Sequence, residues 1–80
     1  MVQDKVIEYR GEQFDTTHGS PFDRGSADSY YGRPRVPHYY PNGTGNAPRL
    51  TSEDMTLAQM RAYFRGYEYN EQYGDKKNWD

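Results

Sequence analysis

The sequence contains no cysteine. That excludes a disulfide framework and zinc–thiolate sites, and it suits a reducing compartment. Branched aliphatic side chains are scarce, being Val2, Val6, Ile7, Val36, Leu50 and Leu57 in an 80-residue chain. No apolar run approaches the roughly 20 residues of a membrane span. The start, MVQDKVIEYR, has no apolar stretch of the signal-peptide kind. The expectation is a cytoplasmic protein without a membrane partner. An excess of positive charge is also lacking. The formal net charge is −2, whereas a protein that coats nucleic acid nonspecifically needs a positive field. A local basic patch stays open, because five of the seven arginines lie from Arg24 to Arg61.

What is present is aromatic. Nine tyrosines, three phenylalanines and Trp79 must build the core that the aliphatics cannot. Such a core buries much area per residue but leaves hydroxyls that need partners. Tyrosines are therefore expected half-buried, with their OH groups at the surface. A chain of this length makes one domain at most and is marginal without staples.

The pattern predicts an α+β fold: a small domain with an N-terminal β-hairpin and two helices joined by a long Pro/Gly-rich loop. The hairpin covers 6–15. A two-residue turn at Arg10-Gly11 pairs Tyr9 with Glu12 and Ile7 with Phe14, and puts Ile7, Tyr9 and Phe14 on the face to be buried. The first helix covers 21–32. Ser20 is its N-cap, Pro21 fits N1, Asp23 at N3 can complete a capping box, and Gly32 is a natural C′ residue. Gly25 inside it costs roughly 1 kcal/mol relative to alanine, and close helix packing is a reason to keep it. The loop covers 33–50, with Pro41-Asn42-Gly43 as a turn. The second helix covers 52–73, capped by Thr51 with Asp54 at N3 and Leu50 stapled onto Met55. Its apolar stripe is Leu57, Met60, Phe64 and Tyr67, broadened by Met55, Ala58 and Tyr63. A polar tail, 75–80, follows unless Trp79 docks back. The predicted core is Ile7, Phe14, Phe22, Tyr30, Leu57, Met60, Phe64 and Tyr67.

Catalytic and metal patterns are weak. His18 and His38 match no ligand spacing. Asp15, His18 and Ser20 resemble a triad only in composition, and Ser20 is better used as a helix cap. No Gly-Lys-Ser/Thr phosphate loop is present. Glu53-Asp54 suits the first turn of a helix. Asn42-Gly43-Thr44 spells a glycosylation sequon but reads as a turn. No enzyme activity, cofactor, metal or small-molecule substrate is expected.

One constellation carries recognition chemistry. The stretch 23–40, DRGSADSYYGRPRVPHYY, mixes small residues, arginines and tyrosines. Arg24, Tyr31, Arg33, Arg35, His38, Tyr39 and Tyr40 form the candidate binding surface. Arginine and tyrosine are typical hot-spot residues at protein interfaces. They can equally hold RNA by phosphate contacts and base stacking. A structural role is the third reading, with Tyr30 and Tyr40 completing the core and the arginines paired to Asp23, Asp28 and Glu53.

The same segments carry two resemblances. Residues 21–34, 37–40 and 66–77 resemble a group of short proteins from tailed phages and prophages of enteric bacteria. That likeness implies a phage accessory protein and brings no established activity with it. A fainter resemblance is to ribosome modulation factor. In that family an Arg-Gly, six residues and a Gly-Arg precede a Pro-Tyr loop and an aromatic-rich helix. Here Arg24-Gly25, Gly32-Arg33, Pro37-His38-Tyr39 and Tyr63-Phe64-Arg65-Gly66-Tyr67 match it. The likeness implies two helices and a loop that bind ribosomal RNA, but that family is strongly basic and has no N-terminal hairpin. The function expected is non-enzymatic binding and modulation of a host macromolecule, a protein first, with ribosomal RNA and translation as the alternative.

Overall fold

A computed structural model describes residues 5–78. It has the predicted α+β architecture. Strands β1 (Val6–Tyr9) and β2 (Glu12–Asp15) form the antiparallel hairpin, with Ile7 opposite Phe14 and Tyr9 opposite Glu12. Arg10 and Gly11 both take positive φ, 55° and 78°, as a two-residue turn of the I′ type requires. Helix α1 is Pro21–Tyr30 and helix α2 is Leu57–Tyr73. Two short strands, β3 (His38–Tyr39) and β4 (Leu50–Thr51), pair antiparallel within the segment between the helices.

The start of α1 is local chemistry. Ser20 Oγ accepts from the Asp23 N–H, and the Asp23 carboxylate accepts from the Gly19 N–H, one residue earlier than in a standard capping box. The helix stops at Tyr30, with Tyr31 as C-cap and Gly32 in the left-handed region at φ 70°. It is therefore two residues shorter than predicted.

The start of α2 corrects the prediction of a helix from 52 capped by Thr51. Residues Ser52–Asp54 make a 3-10 turn, and Thr51 caps nothing with its side chain. Its backbone is committed to β4, opposite His38. The helix begins six residues after Thr51, where Thr56 and Gln59 form a reciprocal capping box.

The helices cross at two glycines. A Cβ on Gly25 would run into the Tyr63 carbonyl oxygen, and a Cβ on Gly66 would run into the Phe22 carbonyl oxygen. Each glycine thus receives the backbone three residues before the other. Four residues beyond each glycine, Asn70 Nδ2 donates to Ser29 Oγ at 3.0 Å. The two helices therefore run side by side in the same sense. That direction explains the long connection, because the chain must return along α1, about 15 Å for its ten residues, before it can start α2.

Two small aromatic cores flank the crossing. Tyr9, Phe14 and Phe22 pack with Ile7, Ala62 and Tyr69 under the hairpin. Met55, Tyr63 and Tyr67 pack with Tyr39 and Met60 under the return segment. Three predicted core residues are corrected here: Leu57 is 80% exposed, Phe64 38% and Tyr30 36%. The stripe 57-60-64-67 is displaced because the glycine crossing turns Tyr63, Gly66, Tyr67 and Asn70 inward. Residues 75–78 are not a loose tail. The Lys77 N–H donates to the Tyr30 carbonyl and Lys76 Nζ to the Ser29 carbonyl, at the negative end of α1. Trp79 lies outside the described residues.

Candidate functional site

Residues 33–40 run back along α1 in the opposite direction. The Arg33 N–H donates to the Asp28 carbonyl at 2.8 Å, His38 meets Arg24, and the Tyr40 N–H donates to the Gly19 carbonyl at 2.8 Å. This return strand has few ladder bonds of its own, so α2 supplies partners. Tyr63 Oη accepts from the Val36 N–H at 3.0 Å, and Tyr67 Oη donates to the Arg33 carbonyl at 2.6 Å. The tyrosine hydroxyls thus satisfy a proline-broken backbone that a sheet would otherwise serve.

Between α1 and this strand lies an open cleft of about 290 Å³. Arg24 and Asp28 line it from one face of α1. Arg33, Pro34, Val36, His38 and Tyr40 line it from the return strand, and Arg49 lines it as well. Its floor is a buried polar cluster. The Asp28 carboxylate accepts from Tyr63 Oη and from Arg33 NH1 at 3.4 Å, and His38 Nδ1 lies 3.8 Å away. His38 Nδ1 is 2.8 Å from the Val36 carbonyl, so it carries the proton, and Nε2 accepts from Arg24 Nε at 3.2 Å. The ring is therefore neutral with both nitrogens used. Burial pushes its pKa below the ordinary value, and the charges of Arg49 and Arg24 add to that, against the Val36 carbonyl and Asp28. Burial and the Asp28 carboxylate also hold the Tyr63 hydroxyl protonated far above the normal tyrosine range.

The predicted surface residues divide by this geometry. Arg33 lies 4.5 Å over the Tyr31 ring and Arg35 4.5 Å over the Tyr67 ring, so the return strand is clamped to both helices. Arg24 lies 5.5 Å over Tyr40 and also reaches Thr44 Oγ1 at 3.4 Å. Tyr39 is half-buried, its hydroxyl accepting from Gln59 Nε2 at 3.2 Å. His38 is only 3% exposed and lies beneath the surface, not on it. Arg49 was missed by sequence reasoning, because it sits nine residues past Tyr40 and only the fold brings it to the cleft. Of the arginine pairings considered from sequence, Arg33 with Asp28 is present, while Asp23 serves Gly19.

The other candidates are used structurally. Asp15, His18 and Ser20 line a common hollow of about 280 Å³, but Ser20 Oγ donates to the Asp15 carbonyl, Asp15 accepts from Thr17, and among the described residues no hydrogen bond joins His18 to either as a triad requires. Among the described residues, no three His, Asp or Glu side chains cluster as metal ligands. Among them, too, no helix is long and apolar enough to cross a membrane. A larger hollow of about 690 Å³, between β1 and the end of α2, is lined by Tyr9, Tyr69 and Tyr73 together with Glu8, Arg10 and Gln72; Gln72 accepts from the Tyr9 hydroxyl and Arg10 pairs with Glu68. No family model, curated protein or solved structure matches the chain.

Proposed function

We propose that this chain is a non-enzymatic binding protein of the phage accessory kind, acting in the host cytoplasm on a host protein that offers an acidic segment. The observation that supports this reading is charge segregation. Residues 24–49 carry four arginines and one aspartate, a net of +3, in a chain whose total is −2, so the remainder carries −5. The one aspartate is buried under Arg33 and Tyr63. The exposed face is therefore arginine and tyrosine, the residue types that dominate protein hot spots.

RNA is the second reading, favoured by the same arginines and by the resemblance to ribosome modulation factor. Against it stands base stacking, which needs an open aromatic face. Tyr31, Tyr40 and Tyr67 each already hold a guanidinium over the ring. The overall negative charge also opposes a long polyanion.

Capture from host lysate with and without nuclease separates the two. The expected result is a protein retained after nuclease treatment; loss of all capture with nuclease would reverse the order. On sucrose gradients the chain should run apart from ribosomal subunits. Arg35→Ala, which breaks no ion pair among the described residues, should weaken capture about fivefold, in the range of one exposed charge contact, without changing the circular dichroism.

A further inference from the structure

We propose that the cleft between α1 and the return strand is a carboxylate-binding pocket, in which Arg24 and Arg49 together hold one acidic side chain of the partner. The proposal rests on the reading of the chain as a binder of an acidic protein segment, and it adds the atoms that do the binding.

Three guanidinium groups line the cleft against one carboxylate. That carboxylate, Asp28, is 4% exposed and already receives Arg33 and Tyr63. Arg33 is thus spent on the floor, and Arg24 and Arg49 supply the excess charge. Arginine cannot relieve that excess by losing its proton. Arg24 is fixed in place: Nε is held by His38 Nε2, NH1 by Thr44, and the plane lies near the Tyr40 ring. A guanidinium fixed in this way loses little freedom on binding. His38 is the device that orients it, since a neutral ring with Nδ1 bonded to Val36 leaves Nε2 as an acceptor aimed at Arg24.

Arg49 is the other half. Among the described residues it has no hydrogen bond, ion pair or ring partner, although it lines the same cleft. Its charge and that of Arg24 are both felt at His38, which lines the same cleft. Pro34 and Val36 wall the cleft with apolar surface, which strengthens a charge contact made inside it. A planar carboxylate suits two guanidinium forks. A phosphate dianion is the poorer match, because the buried Asp28 charge lies in the floor.

The test is a nitrogen-15 NMR titration of arginine Nε–H signals at constant ionic strength. The probes are N-acetyl-aspartate amide, the equivalent asparagine amide, and N-acetyl-phosphoserine amide. The aspartate probe should move Arg24 and Arg49 saturably, and the asparagine probe should not. Arg49→Ala should weaken the aspartate probe about fivefold, Arg49→Lys should restore part of it, and Arg61→Ala should leave it unchanged. Equal shifts at Arg61, no effect of Arg49→Ala, or tighter binding of the phosphoserine probe would each overturn the pocket. Partner capture reads separately. Capture that survives Arg49→Ala at full strength removes the pocket and leaves the binding function standing. A probe that binds at Arg24 and Arg49 in a chain that captures no protein supports the pocket and removes the function proposed for it.

Discussion

Tyr63 is where the sequence's shortage of aliphatics is resolved. It is the largest side chain with no exposed surface, yet it carries a hydroxyl. That hydroxyl donates to Asp28 and accepts from the Val36 N–H, so one atom satisfies a buried carboxylate and a loop amide. Tyr63→Phe keeps the ring and removes both bonds. It should cost about 2–3 kcal/mol, the range for a hydrogen bond to a charged group whose partner stays buried, read by urea denaturation. His38 gives a pH prediction at the same scale. Its folded pKa is lowered, so the unfolded chain takes up the proton first. The contribution of neutral His38 is then full above the unfolded value of about 6.5 and is lost as pH falls through the folded value. The Val36 carbonyl and Asp28 favour the charged form of the ring, while burial, which outweighs them, and Arg49 and Arg24 oppose it. The melting temperature should decline below about pH 6.5, before the carboxylates titrate. His18→Gln should keep that decline and His38→Gln should flatten it.

The elements depend on contacts of very different range, and that decides what a sequence can disclose. The hairpin is legible because Arg10-Gly11 and the alternation around it fix the register locally. The start of α1 is legible for the same reason, in Ser20-Pro21 and Asp23. The start of α2 is not, because the sequence offers two caps, Thr51 with Asp54 and Thr56 with Gln59. The choice falls to Thr56 once Thr51 pairs with His38, thirteen residues earlier in the chain. The buried face of α2 was half legible: Tyr63 and Tyr67 belong to the expected stripe, but a face through Leu57 and Phe64 satisfies helical spacing as well as one through Gly66 and Asn70. What selects the second is Gly66 beneath the Phe22 carbonyl. In the cleft, arginine and tyrosine were legible by type, but the burial of His38 and the arrival of Arg49 follow from the return path. Two experiments check this level. Thr56→Ala should cost about 1 kcal/mol as a lost N-cap, and Thr51→Ala should cost less. Gly25→Ala and Gly66→Ala each force a methyl into backbone, so each should exceed the usual overpacking cost of about 1–3 kcal/mol. Melting should fall by roughly 10 °C or more in either variant.

At the scale of the molecule, the two aromatic cores are joined by the glycine crossing rather than by a shared apolar interior. Phe22 belongs to one core and Tyr63 to the other, and the backbone of each seats the opposite glycine. Neither core is large enough to stand alone in a domain whose whole stability is of the order of 4–12 kcal/mol. The crossing therefore makes them one cooperative unit. Phe22→Ala removes a ring from the hairpin core, and Met55→Ala empties part of the other. Each should cost about 2–5 kcal/mol, and each should lower one common transition. Independent cores would instead separate, with the hairpin amides losing exchange protection in Phe22→Ala while those of 36–40 kept it. The charge pattern follows from the same layout. The return strand that seals the second core also carries Arg33 and Arg35 and meets Arg49, while eleven of the twelve acidic residues lie outside 24–49. Stability and recognition thus share one segment. Loosening the crossing should therefore weaken partner capture even though Gly66 is buried and 41 positions from Gly25. Gly66→Ala measured at a temperature where it is still folded should bind more weakly than the wild type, with the loss tracking exchange of the Val36 amide. Unchanged capture alongside a mobile Val36 amide would show that the arginine face does not need its anchor.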